Sequence, residues 1–108
     1  MKNVRFILAI NCFLLTILYS QGAIEGKITD ENGTAISGAN VYIINSDIGS
    51  ISDVDGNYSL SSVPEGESVL VVDFIGYEKS ENNVIVISGE TKTVNVTLIT
   101  SVLSGQEV

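Results

Sequence analysis

Beyond residue 22, short runs rich in Val, Ile, Thr and Tyr alternate with turn residues, and nowhere do apolar residues recur at helical spacing over three turns. This constrains the fold more than any other feature. Apolar residues repeating at period two make strands with one dry face, and several such strands punctuated by Gly, Asn-Gly or Pro close into a sandwich or a small barrel. The spacing predicts seven strands, over residues 23–29, 39–45, 49–54, 57–61, 68–75, 84–88 and 93–99. In the first, Ile24, Gly26 and Ile28 share one face. In the last, Val94, Val96 and Leu98 alternate with Thr93, Asn95 and Thr97. Residues 68–75 form the most apolar run, buried on Leu70, Val72 and Phe74 and partly covered on the other face.

The turn signals have physical causes. Asn32-Gly33 and Asp55-Gly56 place residues that tolerate positive φ at hairpin corners. Pro64 and Gly66 break the chain before the most apolar run, and Gly76 bends it away afterwards.

Residues 1–22 are different in kind. Lys2 and Arg5 precede an almost unbroken apolar run from Phe6 to Tyr19, and small residues follow at Ser20, Gly22 and Ala23. A basic start, an apolar centre and a small-residue exit predict a secretory signal peptide. The run is short of the ~20 residues that span a bilayer. Removal is expected before Ala23, with Ser20 as a second cleavage point. Cys12, the only cysteine, sits inside the apolar run and leaves with it. The expected organisation is a signal-peptide helix over 1–22, one domain over 23–100 and a tail or linker over 101–108.

All thirteen acids lie after residue 22, against three lysines, so the exported part carries a net charge of −10. Such a surface disfavours nucleic acid and anionic lipid head groups. The chain has no histidine, which removes the usual general base and the usual zinc ligand. No catalytic residue and no cofactor are expected. Asp53-Val54-Asp55-Gly56-Asn57 resembles the opening of a calcium loop, making Asp53 and Asp55 metal candidates. However, the closing position of such a loop falls on Pro64 rather than an acid. A hairpin turn in which Asp53 supports the backbone is the simpler reading. Tyr42 and Tyr77 are candidate platforms for a glycan. Tyr58 and Phe74 read as core.

Five motifs, in order, are similar to the carboxypeptidase-regulatory-like domain: residues 26–33 (GKITDENG), 36–41 (ISGANV), 52–60 (SDVDGNYSL), 63–66 (VPEG) and 74–77 (FIGY). The resemblance spans residues 24–99. It implies an all-β, seven-stranded Greek-key sandwich of the transthyretin-like kind, a non-catalytic companion to which peptidase chemistry does not carry over. It also implies a setting, because in Bacteroidetes such a domain behind a signal peptide opens outer-membrane TonB-dependent receptors of the starch-utilisation type. Residues 101–108 (SVLSGQEV) then resemble the approach to the box preceding the plug. The chain is either a fragment of such a receptor or a free-standing exported domain, glycan-binding or adhesin-like. The partner implied is a protein of the periplasm or outer membrane, engaged through a strand edge, 93–99 or 49–54. Membrane association follows only if the chain continues into a barrel.

Overall fold

A computed structural model describes residues 21–101, and the expected signal-peptide helix and residues 102–108 lie outside that range. Within it the chain is all β. The strands are β1 (Gln21–Thr29), β2 (Asn40–Ile43), β3 (Gly49–Ile51), β4 (Asn57–Pro64), β5 (Gly66–Asp73), β6 (Ser80–Val86), β7 (Thr91–Thr93) and β8 (Val96–Thr97). They form two sheets. One runs β4-β1-β7, with β8 also on β1, and the other runs β3-β2-β5-β6. The first strand pairs antiparallel with β4 but parallel with β7 and β8, so the last strands run alongside the first. In the second sheet every pairing is antiparallel.

The core lies between the sheets. Ile24, Ile28, Leu60, Val63, Val96 and Leu98 from one face Val41, Ile43, Leu70, Val72, Val84 and Val86 from the other. Full burial of each such side chain stabilises by about 1.5–3 kcal/mol. Val71 faces outward opposite Tyr42 yet is also buried, giving β5 the second covered face expected of its sequence. Buried Ser52 ties the loop before β2 to the segment after β3. Its hydroxyl donates to the Ile36 carbonyl (2.7 Å) and accepts from the Ala39 amide (2.9 Å).

The expected last strand, 93–99, is two strands. The register is the same on either side of the gap (Glu25↔Thr93, Ile28↔Val96), so no residue is inserted and the backbone buckles at Val94-Asn95. The Val94 amide still donates to the Glu25 carbonyl, but the Val94 carbonyl turns towards Gly26. Two side chains replace the lost ladder bonds. The Tyr58 hydroxyl donates to the Val94 carbonyl (2.5 Å), and the Lys27 amide donates to Asn95 Oδ1 (3.0 Å). Leu98 then resumes the ladder by donating its amide to Thr29 (2.8 Å).

Other boundaries differ as well: β2 is Asn40–Ile43 against the expected 39–45, β4 runs on to Pro64 past residue 61, and β6 is Ser80–Val86 against the expected 84–88. The ends of β3 and β5 have local causes. Strand β3 stops at Ile51, since residues 53–57 make a turn that leaves Val54 80% exposed. Strand β5 stops at Asp73. The Tyr77 amide closes a turn on the Phe74 carbonyl, Gly76 takes φ +89°, and Phe74 is only partly buried at the core margin.

Candidate interaction surface

The residues singled out in the sequence divide between turns and surface. Asp53 Oδ1 accepts from the amides of Asp55 and Asn57, both at 2.9 Å, while the Gly56 amide closes the turn on the Asp53 carbonyl. The loop at Asp30 is built the same way. Asp30 Oδ1 accepts from Asn32 and Thr34, and the Gly33 amide donates to the Asp30 carbonyl. Both loops place glycine at positive φ, +82° at Gly33 and +81° at Gly56. One device, Asp-x-x-Gly-x, therefore appears twice. The two copies meet at one end of the sandwich, since a Cβ on Gly56 would lie 2.5 Å from the Ile28 carbonyl and 3.1 Å from Ala35 Cβ. No group of three or more His, Cys, Asp or Glu side chains is placed to hold a metal ion among the described residues. Pro64 ends β4 and Gly66, at φ +115°, opens β5.

Tyr42 and Tyr77 are not brought together. Half-buried Tyr42 stands on the outer face of the second sheet, beside a shallow depression of about 630 Å³ that includes Asn40, Gly49 and Ile51. Tyr77 packs against Phe74, with ring centroids 6.0 Å apart, and pairs with Thr100. A second depression of about 540 Å³ follows β1, β3 and β4, lined by Glu25, Lys27, Ser50, Asp53, Asn57 and Ser59 among others. Tyr58 forms part of its wall. Burial pushes the Tyr58 phenol up to about 12, which keeps it protonated as the donor to Val94. The depression offers charge of both signs and hydroxyls, with no histidine to activate them.

The strand edges are the remaining chemistry. Of the two edges nominated from sequence, 49–54 yields the three residues of β3 and 93–99 buckles at its middle. The free side of β4 is interrupted by a bulge. Gly22 pairs with Val63 but Ile24 with Leu60, so Ser61 and Ser62 face Ala23 alone, and Ser62 takes φ +57°. Bulges of this kind blunt an edge against pairing. Strand β6 has no such defence. It pairs with β5 in unbroken register from Gly66↔Val86 to Val72↔Ser80, and its other side pairs with no strand among the described residues. Along it Glu81, Asn83 and Ile85 face solvent, Ile85 at 61% exposure, with Ile87 exposed just beyond. Alternation at 84–88 was legible in the sequence, but the regularity of the edge depends on which strand β6 pairs with.

Comparison with known proteins agrees with this architecture. The chain is 38% identical over 82 residues to a TonB-dependent receptor of Formosa agariphila, and 35% identical over 82 residues to the TonB-dependent receptor SusC of Bacteroides thetaiotaomicron. These matches cover 74% and 75% of this chain and 8% of each receptor, so the chain spans a small part of the length of these relatives. Among solved structures, the Bacillus anthracis TIE protein superposes with a TM-score of 0.62 at 20% identity, over 75% of this chain and 17% of that one, a likeness of fold alone. The CarboxypepD_reg-like family model matches residues 24–108. The chain belongs to the CarboxypepD_reg-like domain family.

Proposed function

We propose that this domain is the periplasm-facing N-terminal extension of a TonB-dependent outer-membrane receptor. It is a non-catalytic docking module that adds an extended segment of a partner polypeptide to the free edge of β6. The observation that carries the receptor reading is the identity to two such receptors over most of this chain. The docking mode is supported by the unbroken register of β6 and its exposed Ile85. An unpaired edge presents ordered backbone donors and acceptors, which is how extended segments are recognised in many complexes. A net charge of −10 beyond residue 22 favours a basic or neutral segment over an acidic one.

The coding sequence downstream of Val108 tests the receptor reading: a continuing frame for a plug and barrel supports it, and an immediate stop rejects it. The edge is tested with Ile85→Lys. At an exposed site this substitution leaves stability within about 0.5 kcal/mol, yet places a charge on the pairing strand. Partner capture is expected to fall at unchanged Tm; capture equal to wild type removes β6 from the interface.

A second reading, a glycan on Tyr42, is favoured by the depression beside that ring. It fails if glycan titration leaves the tyrosine fluorescence and the amide shifts unchanged.

A further inference from the structure

Two cleavage points compete in the sequence, one before Ala23 and one after Ser20, and the fold treats them differently. Gly22 is buried, and a Cβ there would lie 2.6 Å from the Ile87 carbonyl oxygen, 2.8 Å from Val86 Cγ1 and 2.9 Å from the Glu90 carbonyl oxygen. The turn joining β6 to β7 therefore lies directly on the Gly22 backbone, at a distance only glycine allows. The same turn is fastened on both sides of Gly22. The Gly89 amide donates to the Gln21 carbonyl (3.0 Å), and the Ala23 amide donates to the Glu90 carbonyl (2.9 Å). Gln21 and Gly22 also pair with Pro64 and Val63, and Val63 is fully buried. These two residues belong to the sandwich and not to the leader.

We infer that the leader is removed by hydrolysis of the Ser20–Gln21 peptide bond, making Gln21 the first residue of the exported domain. The proposal rests on the export reading and deepens it. In the reaction the Ser20 carbonyl carbon–Gln21 nitrogen bond breaks. Water supplies the hydroxyl to Ser20 and the proton to Gln21, and a signal peptidase of the exporting cell is the catalyst. Ser20 supplies the small residue directly before the cut, with Leu18 at the outer position, whereas a cut before Ala23 has Gly22 and Ser20 there. The choice between the two therefore rests on the fold and not on the exit motif. The new ammonium forms on an exposed residue. Cutting before Ala23 would instead strip the Gly22 backbone from beneath the turn and leave the Gly89 amide without its acceptor. It would also place the charge on half-buried Ala23.

The full chain, produced from its own leader in a Gram-negative host, is recovered from the periplasm and its N-terminus sequenced. Gln21 is the expected first residue. Ala23 as first residue overturns the proposal, whereas unprocessed chain held in the cytoplasm overturns the export reading beneath it. A second measurement separates peptidase preference from structural need. Residues 21–108 and 23–108 are released from a cleavable fusion and melted side by side. The shorter form is expected to melt lower by about 5 °C or more, and equal melting temperatures remove the structural basis of the inference.

Discussion

Gly26 and Tyr58 act on the same atom, the Val94 carbonyl oxygen, one by leaving room for it and the other by bonding to it. A Cβ on Gly26 would fall on the Val94 backbone, so Gly26→Ala forces the buckled segment outward. Overpacking of this kind costs about 1–3 kcal/mol, and differential scanning calorimetry is expected to show Tm lowered by at least about 4 °C. Tyr58→Phe keeps the ring in the core but removes the donor, at about 1–3 kcal/mol for the carbonyl left without it. This residue also gives stability an alkaline limb. Burial raises the phenol from 10.0 to about 12 in the folded chain. Above pH 10 the unfolded chain sheds the proton that the folded chain retains, so stability is whole below pH 10 and declines through the window up to about 12. Urea midpoints across that window are expected to fall more steeply for wild type than for Tyr58→Phe; parallel slopes would show that Tyr58 is not the titrating group.

At the scale of the element, the Asp-x-x-Gly-x loops connect strands through one carboxylate oxygen each. Asp53→Ala removes the side-chain acceptor of two backbone amides and is expected to cost about 1–2 kcal/mol at this exposed site, whereas Asp53→Asn retains an acceptor and recovers most of that loss. Urea denaturation distinguishes the pair. Added millimolar calcium is expected to leave Tm unchanged, because Asp53 Oδ1 is already occupied by two amides. The turns at Asp55-Gly56 and Asn32-Gly33 were legible because positive φ at Gly56 and Gly33 selects glycine locally. The strands they join, β3 to β4 and β1 to β2, nevertheless lie in different sheets and not in the hairpins expected. The repeated spacing that makes the two loops one device was equally present in the letters. The division between β7 and β8 was not. Residues 93–98 alternate without a break, and the buckle comes from Gly26 and Tyr58, far away in sequence. Strand β5 illustrates the intermediate case. Its burial on both faces was written in its composition, but its end at Asp73 depends on a turn that Gly76 permits. The best edge was illegible for a related reason, since an edge is a property of sheet order.

As a whole, the domain is small, so a smaller share of its chain surface is buried on folding than in a larger one. It therefore depends on closing its core with the last residues. Leu98 is completely buried, and its amide donates to Thr29. Truncation after Thr97 forfeits a contribution of about 2–5 kcal/mol from a total stability of about 5–15. Circular dichroism is expected to show a broadened, lowered transition, and a sharp wild-type melt would place the essential boundary earlier. The parallel alignment of the first strand with the last has a mechanical corollary. The chain enters at one end of β1 and leaves, beyond β8, at the opposite end. Tension applied between those ends pulls the two ladders along their length, so their hydrogen bonds are loaded together in shear and not opened one by one. Placed in line between two anchored parts, such a domain transmits a pull before it gives way.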